Sequence, residues 1–257
     1  MRDSTAFYGV DNGIPRIVAR NWCQEFSDSG RLHNLRYDGM PLVFSHEIDF
    51  DSLDVKDFVI TQSNQSTSPV CATLMPAVDE GEKRTVLLIG RFASGDSPIQ
   101  VRINGDLYSK DGKYNYRNAS ILAVPLSAGP SLVHAELVPD DQWELGYGGG
   151  NQNDGTGCPL GTEQIIRVAW DGGVTKPGGA EVDDVERMAY QVSFVNGATE
   201  QLISPFALGD LNDGDNNHKL CFDEYYGQPT SIYFPGGLLT DPNEDMTNSE
   251  QRYELLP

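Results

Sequence analysis

The sequence predicts an all-β protein built as an antiparallel β-sandwich, either one large sandwich or two smaller ones, with little helix. Three observations predict it. Apolar and β-branched residues recur in runs of four to nine, several with strict alternation. The 27 glycines and 15 prolines punctuate those runs with turn signals. No stretch keeps a 3.6-residue apolar stripe, so helix is confined to one or two turns at 21–27 and 183–188.

The strands are taken in order. Residues 40–48 (MPLVFSHEI) and 55–61 (VKDFVIT) are rich in β-branched and aromatic side chains, and 70–75 and 84–92 follow. Within the last, Val86-Leu87-Leu88-Ile89 is unbroken and apolar, the pattern of a strand buried on both faces. Residues 99–103 (IQVRI) alternate cleanly, and Asn104-Gly105-Asp106 supplies a turn. Strands at 120–124 and 131–138 precede a stretch without periodicity, 139–161, which carries Gly148-Gly149-Gly150. Strands resume at 163–170, 188–195, 219–222 and 231–234. This organisation predicts an N-terminal unit over 1–139, a Gly/Asn-rich loop or linker over 140–162, and a C-terminal unit over 163–257. If there are two units, immunoglobulin-like sandwiches are expected. A faint internal echo aligns Phe44 with Phe194, Phe58 with Leu208, Val70 with Leu220 and Cys71 with Cys221.

The chain carries 18 basic and 38 acidic residues, a formal net charge of −20. That field repels nucleic acid and anionic membrane surfaces and attracts cations. No apolar run reaches the length of a membrane-spanning helix, so no membrane insertion is expected. The start, Met1-Arg2-Asp3-Ser4-Thr5, has no signal-peptide core, and the expectation leans towards a mature extracellular or periplasmic protein. The four cysteines, Cys23, Cys71, Cys158 and Cys221, form no CxxC pair. They permit two disulfides in three connectivities. Asn64 and Asn118 head glycosylation-type sequons.

The most informative segment is 208–224, LGDLNDGDNNHKLCFDE. Calcium takes six to eight oxygen ligands. Asp213, Asp215 and Asn217 have alternating spacing, and Glu224 stands twelfth in such a loop, where a bidentate carboxylate closes a calcium shell. His218 occupies the sixth place, where the helix-loop-helix calcium motif needs glycine. In a shifted register, Asp210, Asn212 and Asp213 read Asp-x-Asn-Asp, which resembles the calcium-binding linker between cadherin repeats and implies an ion that stiffens a joint. The expected ligands are Asp210, Asn212, Asp213, Asp215, Asn217 and Glu224, with Ca2+ as cofactor. Of two other acidic groups, Glu47 to Asp57 reads as a solvated strand edge, from which Asp49, Asp51 and Asp57 could also reach an ion, and Asp241 to Asp245 reads as a turn.

No GxSxG elbow, HExxH helix or phosphate loop occurs. The histidines open to acid–base work are His218, beside the acidic loop, and His134, in an alternating strand. Trp143, Tyr147 and Tyr225 are candidate pocket walls. The leading expectation is a calcium-stabilised binding or adhesion-type module that takes a carbohydrate or small-molecule ligand. The alternative is a calcium-dependent lyase, hydrolase or cyclase.

Overall fold

The fold is that of a computed structural model, which describes the backbone of 4–7 and residues 38–62, 65–69, 71–75, 83–90, 92, 99–125, 127–143, 145–146, 157–209, 211, 216–241, 243–247 and 249–255. The chain divides into two compact units, Met1–Ala128 and Gly129–Pro257.

In the first unit, one sheet holds β1 (Ser4–Phe7), β2 (Asp38–Val43), β5 (Cys71–Met75) and β6 (Thr85–Gly90) in the order β1-β2-β6-β5. The second holds β3 (Phe58–Gln62), β4 (Gln65–Thr67), β7 (Ile99–Ile103) and β8 (Ser120–Leu122) in the order β4-β3-β7-β8. All pairings are antiparallel. Met40, Leu42, Val86 and Leu88 of one sheet pack with Phe58, Ile60, Val101 and Ile103 of the other in one core. The alternation of β7 survives as buried Ile99, Val101 and Ile103 between exposed Gln100 and Arg102. The apolar run of β6 is buried throughout, as its lack of alternation predicts.

The second unit repeats the plan. One sheet is ordered β13-β14-β10-β9, from β13 (Ala207–Gly209), β14 (Asn217–Phe222), β10 (Gln164–Trp170) and β9 (Leu132–Leu137). The other is β12-β11-β15-β16, from β12 (Thr199–Ile203), β11 (Gln191–Asn196), β15 (Gln228–Phe234) and β16 (Gln251–Glu254). Counted from the first strand of each unit, the two orders are identical. Both are the A-B-E-D and C′-C-F-G order of an immunoglobulin-type sandwich.

Strand pairing explains why the dividing line differs from the expected one. β9, before the glycine-rich stretch, hydrogen-bonds to β10, after it, so 140–162 is a loop inside the second unit. The echo also fails as an alignment. It matches Cys71 on β5 with Cys221 on β14, whereas the topological counterpart of β14 is β6.

β10 and β14 are buried on both faces. Ile166, Val168, Trp170, Leu220 and Phe222 face Val192, Phe194, Ile232 and Phe234 in the inter-sheet core. On the other side Ile165 and Cys221 join Val138 and Cys158 in a second cluster. A disulfide links Cys158 to Cys221. The single described α-helix, α1 (Asp184–Ala189), carries a capping box: Asp183 accepts from Val185 N–H at 3.0 Å, and the Glu186 side chain accepts from Asp183 N–H at 2.9 Å. Replacing Asp183 with Ala removes that cap and its ion pair with Lys176. The expected loss is about 1 kcal/mol, read as a lower urea midpoint with unchanged slope.

Candidate functional site

Register fixes where the acidic segment leaves the sheet. β14 runs antiparallel to β10, with Asn217 opposite Ala169 and Phe222 opposite Gln164. β13 lies on its far side, with Gly209 opposite Lys219. The connection from Gly209 to Asn216 therefore leaves and re-enters at the end where β10 finishes in Trp170. Asn216 is tied there: its carbonyl accepts from Trp170 N–H at 2.8 Å and its Nδ2 donates to the Trp170 carbonyl at 2.6 Å.

Asp210, Asn212, Asp213 and Asp215 lie outside the described residues. Asn217 and Glu224 do not. Asn217 is the first residue of β14 and is buried, whereas Glu224 is exposed beyond the opposite end of that strand. Six residues of extended chain, at ~3.3 Å each, separate the two ends. A calcium shell places every ligand oxygen within ~2.6 Å of the ion. Glu224 therefore cannot close a shell with the residues that precede β14. Its twelfth-position spacing assumes a continuous loop, and the strand breaks that loop.

At the same end lie two further carboxylates, of which sequence reasoning missed Asp171 and read Asp241 as part of a turn. Asp171, which follows β10, is 1 % exposed, and its Oδ1 accepts from Ser131 N–H at 2.9 Å. Asp241, also 1 % exposed, accepts from the N–H groups of Asn243 and Asp245, both at 2.9 Å, so the group at 241–245 is a side-chain-capped turn as expected. Thr175 and Thr240 bridge the loops that follow β10 and β15. Such loops come together at one end of a sandwich of this order, a proximity that linear spacing does not display. Among the described residues no three His, Cys, Asp or Glu side chains gather as a metal centre.

The electrostatics of the neighbouring sheet bear on the acidic segment. Arg167 on β10 and Lys219 on β14 stand directly opposite each other and are 2 % and 4 % exposed. Glu136 on β9 meets Arg167 at 3.0 Å. The acidic segment thus starts from Gly209, next to a row holding two buried cations.

The histidines have other duties. His218 alternates with Leu220 and Phe222 on the core side of β14 and is 3 % exposed. Trp170 Nε1–H donates to the Tyr190 hydroxyl oxygen at 3.1 Å, and that hydroxyl lies 2.9 Å from His218 Nδ1. Trp170 fills one lone pair of that oxygen and the phenol proton remains available to Nδ1, an arrangement that suits a neutral imidazole protonated at Nε2. Burial pushes the His218 pKa down to about 4 and raises that of the Tyr190 hydroxyl. His218 is thus a core side chain enclosed away from solvent. His134 is half-buried, with Nδ1 3.2 Å from the Tyr253 hydroxyl and Nε2 3.6 Å from Glu136.

The proposed pocket walls do not converge either. Trp143 Nε1–H donates to the Val138 carbonyl, and the ring packs by the disulfide. Tyr225 is exposed, and Tyr147 lies outside the described residues. A cleft of about 560 Å³ in this unit is lined by Val182, Asp183, Arg187, Phe206, Leu208 and Leu211 among others, and neither histidine lines it. An enzyme site needs a histidine, a carboxylate and the ion around one cavity. His134 and Glu136 make a described histidine–carboxylate pair, and neither residue lines that cleft. No protein-family model, curated protein or solved structure matches the chain.

Proposed function

We propose that this protein is a calcium-stabilised β-sandwich module for binding or adhesion, which works outside the cytosol on a carbohydrate or small-molecule ligand. The observation that carries the reading is the origin of the acidic segment at one end of the second sandwich, where buried Asp171 and Asp241 also lie. Asp210, Asn212, Asp213 and Asp215 are the ligands proposed for Ca2+, with Asn217 at the strand start. Asp171 is a further candidate, because β10 delivers it beside Asn216. Carboxylates crowded at one place repel unless neutralised, and a divalent cation with six to eight oxygen partners does this most completely.

Two further features support the reading. Each sandwich presents its loops on a packed β frame, which suits recognition. The Cys158–Cys221 disulfide fits an oxidising compartment. No helix among the described residues is long and apolar enough to cross a membrane.

The experiment is thermal unfolding with added calcium and with chelator, on wild type and on a protein carrying Asp213→Ala with Asp215→Ala. A bound ion at a hundred times its dissociation constant adds ~2.7 kcal/mol. Chelator should therefore lower the wild-type midpoint by several degrees and leave the double variant unmoved. A wild-type midpoint indifferent to chelator contradicts the proposal.

A further inference from the structure

In the Met1–Ala128 unit, the connection from β2 to β3 (44–57) and that from β7 to β8 (104–119) lie side by side. Asn104 N–H donates to the Asp57 carbonyl at 2.7 Å, and Lys110 N–H to the Glu47 carbonyl at 2.8 Å. Gly105 is required at this seam, because a Cβ there would stand 1.9 Å from the Asp57 carboxyl group. The 104–119 loop is also held internally. Ser109 Oγ donates to Asp111 at 2.6 Å and accepts from Tyr114 N–H at 3.0 Å, and Arg117 pairs with Asp106 at 2.6 Å. It presents Tyr108 and Tyr114 to solvent among Asn, Gly and Ser. Recognition loops use that composition, because two-torsion aromatic side chains lose little entropy on binding.

Beside this seam lies a cleft of about 220 Å³. Its walls are apolar, from Leu42, Phe44, Val101, Ile103 and Ile121, and its polar lining includes Ser45 and Tyr116. Ser45 Oγ is 2.9 Å from His46 Nδ1 and 3.3 Å from the Tyr116 hydroxyl, which is itself 3.4 Å from His46 Nδ1.

We propose that this cleft binds a small amphiphile, a single ring or short alkyl body bearing a neutral hydroxyl or cationic amine head. An apolar wall with a few polar groups at one point is the pattern of a ligand site. The volume is below the ~300 Å³ at which drug-sized pockets begin, so a one-ring body fits. Two hydroxyl protons serve the three-atom cluster, which leaves oxygen lone pairs to accept from the ligand's head. The net charge of −20 disfavours an anionic head. The inference concerns the first sandwich and does not depend on calcium in the second.

The test is a titration of the full chain with p-cresol, run with calcium and again with chelator, and followed by NMR of the Tyr116 ring and Ser45 amide. Saturable shifts are expected in both conditions. Tyr116→Phe should weaken binding about fivefold to tenfold, the effect of one lost hydrogen bond, and toluene should bind wild type more weakly by a similar factor. Ala119→Trp, whose indole would occupy the cleft, should abolish saturation. If that variant disturbs the fold, Ile121→Trp on the exposed edge strand serves instead. Absence of saturation up to the solubility limit, or saturation that neither the hydroxyl deletion nor the cleft-filling variant alters, overturns the proposal.

Discussion

Replacing Cys158 and Cys221 with serine should cost about 4 kcal/mol of stability. The bond closes a loop with a sequence separation of 63. On the chain-entropy account, opening a loop of that length returns ~4 kcal/mol of freedom to the unfolded chain. The native side adds to the loss. Both sulfurs are fully buried, beside Val138, Ile165 and the Trp143 ring, so two hydroxyls would enter an apolar cluster. The measurement is urea unfolding of the double variant beside wild type. The second unit's transition should shift to lower urea, and dithiothreitol should lower wild type further than the variant. Equal stabilities would mean that the bond staples nothing the sheet does not already hold.

The second large effect is acid sensitivity centred on His218. Its folded pKa is pushed down to about 4 from an unfolded value of 6.5, because burial penalises the charged ring. The unfolded state therefore takes up a proton before the folded state does. This contribution is fully present above pH 6.5 and is lost as pH falls from 6.5 towards 4. Over that window the loss is ~3 kcal/mol, at 1.36 kcal/mol for each pH unit of displacement. His218→Gln keeps an acceptor for the Tyr190 hydroxyl and cannot titrate, so its stability profile should be flatter over the same range. A wild-type profile with the variant's slope between pH 4 and 6.5 would show that His218 does not govern the acid response.

His218 also shows what the sequence made legible and what it hid. Its neighbours Asp215, Asn216 and Asn217 give it the look of a loop residue. Yet two-residue spacing from His218 to Leu220 and Phe222 continues the core face of β14, and carrying that alternation back would have placed it. The same oversight extended the calcium ligands to Glu224 across a strand. Strands with strong apolar content, β6, β7 and β10, were plain in the sequence. The short edge strands β12, β13 and β16 were not, since an edge needs little burial and so carries little pattern. The helix at 183–188 was legible because a capping box is a local signal. The unit boundary was not, because a disulfide and long-range pairing, rather than local composition, hold 140–162 inside the second sandwich. At the candidate site, Asp171 escaped notice because only the pairing of β10 with β14 carries it to the neighbourhood of Asn216.

The central claim is that a divalent cation neutralises the acidic segment before β14. Calcium titration calorimetry on chelator-stripped protein tests it most directly. One site per chain is expected in wild type, with binding abolished by Asp213→Ala with Asp215→Ala and unchanged by Glu224→Ala, which lies beyond the far end of the strand. No heat in wild type, together with equilibrium dialysis that retains no calcium, would contradict the claim.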